Sequence, residues 1–269
     1  MYDVLTFFRP WGEALWHGQY TPQYPLPMVG FFAFLALLPP PVAVGLVFAL
    51  NLILFVVLFK RKAAGWLFYV PVLMIFNEGQ LEFIFFWLIL TGTPAALALA
   101  TLKPQLFIFA LPKLAADRKL WPKFLLWLAV LYLPITLIRP TWIAEWLNNV
   151  RGEGRLSNND SASLWSLLPF HPPTIFYVFV LGVLAVVIIK RPDWKGVLAA
   201  FYPVMRPYDY LLATGTEASA WLIPLSWVCV IWGYHWTVNP WPFAFLGIAT
   251  TALAKLKWPA RPPPPDFGP

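Results

Sequence analysis

The sequence predicts an all-α polytopic membrane protein with roughly 7–10 membrane-embedded segments. Of its 269 residues, 60% are hydrophobic and 12% are charged, whereas soluble domains carry about 25% charged residues. Mean hydropathy is +0.67. Apolar runs such as residues 42–59 and 175–189 reach or approach the roughly 17–25 residues that cross a bilayer as a helix.

The net charge of +7 comes from short basic clusters between the apolar runs. Such clusters mark the cytoplasmic loops of membrane proteins, so we do not interpret them as a nucleic-acid-binding surface. Placing them inside predicts a single transmembrane domain over residues 1–258, with external loops at residues 1–27 and 139–173. The Pro-rich residues 259–269 are predicted to be a disordered tail.

Prolines and glycines divide the first half of the chain into segments. Residues 28–38, which form either a re-entrant segment or half of a hairpin, end at three successive prolines that cannot continue a helix. Residues 42–59 are the clearest span. Residues 66–76 and 81–90 flank a polar tip at residues 77–80, whose glycine permits a tight turn. The further predicted spans are residues 124–138, 174–189, 218–232 and 242–254.

Two short hairpins of broken helix each carry a charge at their apex. Residues 95–102 and 106–111 meet at Lys103-Pro104-Gln105, and residues 197–205 and 210–214 meet at Arg206-Pro207-Tyr208-Asp209. Proline interrupts the helix, and a charge at membrane depth is a functional hypothesis by default. Broken backbone is tolerated there only inside protein or beside water, so we expect the apexes to line a polar cleft.

An ordered set of short motifs resembles the GT-C superfamily of membrane glycosyltransferases. The motifs, in chain order, are Asp3, Gly18-Gln19-Tyr20, Tyr24-Pro25-Leu26-Pro27, Gly79-Gln80, Leu102-Lys103-Pro104-Gln105 and Pro207-Tyr208-Asp209-Tyr210. They are most similar to glycosyltransferase family 87, the polyprenol-phosphate-mannose-dependent mannosyltransferases. The chain differs from that family at Leu26, where the family has a second proline. It also lacks the membrane helix that precedes the family's Asp, so we expect either a start further upstream or a reduced, inactive relative.

The resemblance implies a GT-C-like bundle in a prokaryotic plasma membrane. Its implied activity is the transfer of a hexose, most simply mannose, from a polyprenyl-phosphate sugar to a lipid or glycan acceptor on the external face. Its implied partners are membrane lipids and the lipid-linked sugar donor. We expect no bound organic cofactor, and the sequence leaves open whether a divalent cation takes part; it shows no cluster with metal-ligand spacing.

Asp3 occupies the family's catalytic position, where a base must lie within hydrogen-bond reach of the acceptor hydroxyl. Glu13 is the fallback, and the alternative for Asp3 is a solvated acid near the terminus. Lys103 is predicted to stabilise the leaving phosphate, as preorganised cations do. Its alternative is a purely structural lysine paired with Glu78, Glu82 or Asp209, because buried charges must be paired.

The remaining substrate-binding candidates are polar or aromatic residues of the same motifs and of the long loop. Neutral amides either contact sugar hydroxyls or bridge helices, and Arg suits phosphate recognition but is also common on solvated loops. Arg206 and Asp209 are alternatively a structural pair. The candidates are Tyr24, Glu78, Gln80, Gln105, Arg151, His171, Arg206 and Asp209.

Two other functions remain open. A non-catalytic subunit derived from the GT-C fold would pack its short aromatic-rich helices against other subunits of a membrane complex. A small transporter would use broken helices at its substrate site, although the sequence has no evident repeated halves.

Overall fold

The computed structural model describes residues 1–20, 24–152, 174–192, 201, 206–209 and 222–236. These residues are mostly helical, and none of them forms a β-strand. The α-helices are α1 (Arg9–Trp16), α2 (Leu26–Leu37), α3 (Pro40–Phe59), α4 (Ala63–Trp66), α5 (Val70–Glu78), α6 (Glu82–Thr91), α7 (Pro94–Ala100), α8 (Pro104–Phe107), α9 (Leu111–Ala116), α10 (Leu120–Ile138), α11 (Trp142–Gly152), α12 (Thr174–Lys190) and α13 (Leu222–Trp236).

Two described helices are long and apolar enough to cross a membrane. One runs from Pro40 through α4 to Trp66, and the other is α10. Helices α5 and α6 together pass the same test but are bent by 115° at the break between them. The prediction of an all-α chain with membrane-type helices therefore holds for the described residues, while the full number of embedded segments stays a prediction.

Prolines begin many of these helices rather than interrupting them. α2, α3, α5, α7 and α8 each have proline at one of their first two positions, where the missing N–H would have no helical partner anyway. The predicted break at residues 39–41 follows this rule: α2 ends at Leu37 and α3 begins at Pro40. Proline thus marks where these five helices begin.

The N-terminal segment has more regular structure than the predicted loop at residues 1–27. A π-helical stretch, Val4–Phe8, runs directly into α1, and α1 packs along α2. The two backbones approach closely at Gly12, where a Cβ atom would lie 2.2 Å from the Phe32 carbonyl oxygen. Phe8 stacks on Phe32 with ring centroids 4.3 Å apart, and such contacts stabilise a helix too short to persist alone. The external placement of this segment stays a prediction.

The long predicted loop at residues 139–173 also begins with a helix, α11. Trp142 at its start stacks on Tyr132 of α10, with centroids 5.7 Å apart, and its indole N–H donates to the Thr136 hydroxyl at 3.0 Å. This burial of Trp142 explains why the chain turns back into a helix just after α10. The described residues do not include 153–173, most of 197–205, 210–214, 242–254 or the tail at 259–269, so the predictions there lie outside them.

Candidate functional site

The turn from α5 into α6 (residues 79–82, the α5–α6 tip) organises the candidate site. Gly79 ends α5 in the left-handed conformation, with φ of 78°, which glycine adopts without steric cost. Gln80 is 2% exposed, and Glu82, the first residue of α6, is fully buried. The tip therefore carries an amide and a carboxylate into the protein from either side of a sharp bend.

Lys103 is the buried cation opposite this tip. It lies at the break between α7 and α8, where the sequence predicts an interrupted helix, and it is 2% exposed. Its ammonium donates to Glu82 Oε1 and lies 3.4 Å from Asp209 Oδ1. Buried charges require such partners. The ammonium also lies 5.3 Å from the centre of the Tyr208 ring, a favourable cation–π distance.

Asp209 reaches Lys103 from a 3₁₀ turn, Pro207–Asp209, far along the chain. The other oxygen of its carboxylate accepts the backbone N–H of Arg206 at 2.9 Å. This hydrogen bond involves the Arg206 backbone, and the pairing of the Arg206 and Asp209 side chains stays a prediction. The turn packs against α5. We call Glu82, Lys103, Tyr208 and Asp209 the Lys103 cluster.

Asp3, the predicted base, lies at the other end of the tip. Its carboxylate accepts a hydrogen bond from the side-chain amide of Gln80, which lies 77 residues further along the chain. Asp3 is half-buried, so it is not simply a solvated terminal acid. Glu78 interacts electrostatically with Asp3, Arg206 and Lys103. The structure thus gathers five predicted residues, Asp3, Glu78, Gln80, Arg206 and Asp209, around Lys103.

The other predicted residues take different positions. Tyr24 packs edge-on against Phe32, with ring centroids 5.5 Å apart, and it lies near Tyr208, which places it beside the Lys103 cluster. Gln105 is half-buried on α8, and none of the described contacts joins its amide to the cluster. Glu13 is exposed and lies 3.6 Å from Arg9. Arg151 is in the last turn of α11, while His171 lies outside the described residues.

Asn51 is the residue that sequence reasoning missed. It is fully buried on α3, and its side-chain amide donates to the backbone carbonyl of Gln80 at 2.8 Å. The available signal was a lone amide in the middle of a 20-residue apolar helix. A polar group there is costly unless it is hydrogen-bonded, so a partner could have been expected.

A second set of contacts joins α11 to the end of the N-terminal segment. Arg139 lies 2.7 Å from Glu145, donates to the Gly18 carbonyl at 3.1 Å and lies over the Tyr20 ring. Asn149 donates to the Tyr20 carbonyl at 3.1 Å. Burial raises the pKa of the Tyr20 hydroxyl well above its usual range, and hydrogen bonds from Arg139 and then Thr141 lower the pKa of Glu145. These contacts hold the C-terminal end of the N-terminal segment, which also bears Asp3, against Arg139 and α11.

The acceptor groups of the site exceed the donors that surround them. Among the described residues, Asn51 Oδ1, Gln80 Oε1 and Glu82 Oε2 are buried and accept no hydrogen bond from the protein. Around Lys103, four of the described residues are acids (Asp3, Glu78, Glu82 and Asp209) and one is a further cation, Arg206. Such a site suits a ligand or water that brings hydrogen-bond donors. No group of three His, Cys, Asp or Glu side chains with metal-binding geometry occurs in the described part of the chain.

Comparison with protein-family models, with curated proteins and with solved structures finds no match to this chain. The arrangement around Lys103 therefore has to be interpreted from its own chemistry.

Proposed function

We propose that this protein is a GT-C-like membrane glycosyltransferase that uses a polyprenyl-phosphate hexose, most simply mannose, as donor and a lipid or glycan as acceptor. The observation that carries the proposal is the placement of Asp3 and Lys103 at the two ends of one short tip. Gln80 contacts the first and Glu82 contacts the second. By the resemblance, Asp3 stands at the family's base position. Lys103 stands in the matching Leu-Lys-Pro-Gln motif, and its charge suits it to bind the phosphate.

The reaction needs a carboxylate and a cation with distinct roles. The bond between the sugar C1 and the donor phosphate oxygen breaks, and C1 bonds to the acceptor oxygen. The acceptor proton passes to the Asp3 carboxylate, which acts as general base, and polyprenyl phosphate leaves. Lys103 stabilises the negative charge that develops on the departing oxygen.

The Lys103 cluster indicates how the phosphate would enter. The ammonium is already paired with two carboxylates, so an anionic phosphate must replace one of them. The contact with Asp209, at 3.4 Å, is the longer of the two, and we expect it to be exchanged. Glu82 would then keep the ammonium in place, since an unpaired buried charge is strongly unfavourable.

Membranes that contain the protein and a radiolabelled polyprenyl-phosphate mannose test the proposal. We expect transfer of label to an extractable lipid or glycan, and loss of this product in the Asp3→Asn and Lys103→Ala variants. Asp117→Asn, at an exposed acid whose carboxylate accepts the Lys119 backbone N–H, is the control and should retain transfer. Wild-type transfer in both site variants would remove the proposed roles, and absence of any transfer by the wild-type protein would contradict the function.

A non-catalytic membrane subunit is the second candidate, and one observation favours it. Lys103 is 2% exposed and already paired with two acids, as expected for a charge that only joins helices. This function predicts that the chain copurifies from mild detergent with other membrane proteins. It also predicts that Lys103→Ala weakens that association while no transfer is detected.

A further inference from the structure

One buried hydrogen bond links α3, an apolar helix of 20 residues, to the α5–α6 tip. Asn51 of α3 donates to the Gln80 carbonyl oxygen at 2.8 Å, across 29 residues of sequence. The neighbouring buried residues on the same face of α3 are apolar: Val47 and Phe55 are 1% and 3% exposed. An apolar side chain would satisfy packing at position 51, so packing alone does not account for the amide.

The chemistry of the partners fixes the orientation of both amides. The Gln80 backbone carbonyl can only accept, so the Asn51 nitrogen must face it. The Asp3 carboxylate in its ionised form likewise only accepts, so the Gln80 side-chain nitrogen must face Asp3. Asn51, Gln80 and Asp3 therefore form one directional chain in which each amide donates to the next group.

The two backbone groups of Gln80 are held by different helices. The Gln80 N–H donates to the Ile75 carbonyl at 3.1 Å, as part of the end of α5, whereas within the described residues the Gln80 carbonyl accepts its hydrogen bond from Asn51 of α3. Gly79, with φ of 78°, provides the bend but no side-chain contact. A small rotation of the tip would move the Gln80 amide and the Glu82 carboxylate together, because only one residue separates them.

We infer that Asn51 is a positioning residue that sets the orientation of the α5–α6 tip and thereby the position of the Asp3 carboxylate. It touches neither substrate nor Asp3 and acts through Gln80. Its role in catalysis rests on the proposed function, whereas its effect on the position of Asp3 does not. This explains why a fully buried amide stands in the middle of an otherwise apolar helix.

Thiol bridging measures the position of the segment that bears Asp3 without any assay of activity. In a Cys229→Ser background, Tyr2→Cys and Asn77→Cys, two exposed positions beside the Met1–Phe76 contact, are treated with a short bis-methanethiosulfonate reagent. These substitutions leave the hydrogen bonds from Asn51 to Gln80 and from Gln80 to Asp3 in place. We expect the bridging rate to fall about tenfold when Asn51→Leu is added, the effect of one buried hydrogen bond.

Two further variants keep this test decisive. Asn51→Ser removes the amide with less disturbance of the packing and should also slow bridging. It serves as the test variant if Asn51→Leu does not fold. Phe55→Leu loosens packing one turn away, where Phe55 contacts Phe76 and Phe83 on either side of the tip, and should leave the rate nearly unchanged. Bridging at the original rate in both Asn51 variants, or equal slowing by Phe55→Leu, would overturn the inference.

The activity assay then tests the catalytic consequence. In membranes that transfer mannose, Asn51→Leu should lower kcat about tenfold while KM for the lipid-linked donor changes less than about twofold, because the lost interaction acts on the base. A raised KM with unchanged kcat would overturn the positioning role. If the wild-type chain transfers nothing, the proposed function fails while the bridging result still decides the role of Asn51 at the tip.

Discussion

The Lys103 ammonium lies 3.4 Å from the Asp209 carboxylate, although 106 residues separate the two in sequence. Both side chains are almost completely buried, and Glu82 completes the set on the other side of the ammonium. A helix break at residue 103 and a 3₁₀ turn at residues 207–209 thus meet at one buried ion cluster. Its energetics can be tested independently of any enzymatic activity.

Removing the ammonium should destabilise the protein strongly. Lys103→Met keeps much of the side-chain volume but leaves the buried Glu82 and Asp209 carboxylates without the ammonium that pairs with them. Breaking a buried pair from one side costs about 3–5 kcal/mol, so the midpoint of thermal unfolding in detergent should fall clearly. Adding Glu82→Gln to Lys103→Met should recover part of this loss. An unchanged midpoint in Lys103→Met would show that the ammonium is not buried between the acids.

Gly79→Ala should disturb the tip more than an ordinary helix substitution. The backbone at residue 79 has φ of 78°, and an added Cβ would lie 2.7 Å from the Val4 side chain. We expect a loss of about 1–3 kcal/mol, from the left-handed backbone and the clash together. The measurement is the shift in unfolding midpoint relative to Gly65→Ala, a control with no heavy atom within 4 Å of the new Cβ. Equal midpoints for the two variants would contradict the described tip.

The Arg139–Glu145 contact predicts a weak dependence of stability on pH. Hydrogen bonds from Arg139 and Thr141 lower the pKa of Glu145 in the folded protein. The contribution is therefore present above the ordinary glutamate pKa and is lost as pH falls through the lowered folded value. Because both side chains are partly exposed, it should not exceed about 1 kcal/mol.

Glu145→Gln should accordingly lower the unfolding midpoint at neutral pH. Below the folded pKa of Glu145, the variant and the wild-type protein should have the same unfolding midpoint. Thermal unfolding of the wild-type protein and the variant from about pH 2 to about pH 8, a range that extends well to both sides of the ordinary glutamate pKa of about 4.3, measures the difference. Thr141→Val removes one of the two donors and should give an intermediate curve. A difference that persists unchanged at the lowest pH would exclude the ionised contact as its cause.

The exposed face of α10 predicts how the chain meets a bilayer. Only 6% of its apolar stretch is buried inside the protein, and Val130, near its centre, is 56% exposed. A Lys at the centre of a spanning helix costs about 2.5–3.5 kcal/mol for insertion. Val130→Lys should therefore reduce the carbonate-resistant membrane fraction, while Val130→Leu should not. Unchanged membrane retention of the Lys variant would show that α10 does not face lipid.

Several local features of the fold could be predicted from sequence because their causes are local. Prolines at residues 39–41 and 104 predicted helix boundaries, and Gly79 predicted the tight turn between α5 and α6. The helices in residues 4–16 and 142–152 were missed because they depend on aromatic contacts with α2 and α10 rather than on length or apolar periodicity. Short helices of this kind form only when tertiary packing stabilises them.

The sequence by itself determined that the described chain is helical and that its helices break near prolines, because proline geometry acts on neighbouring residues. It also showed that Lys103 is a charge in an apolar setting, where burying an ion is costly. Only the tertiary structure decided which acids meet that charge, that Gln80 holds Asp3, and that Asn51 supports Gln80. Those pairings join residues 21 to 106 positions apart. No local rule specifies them, because they depend on how separate helices pack around one buried polar cluster.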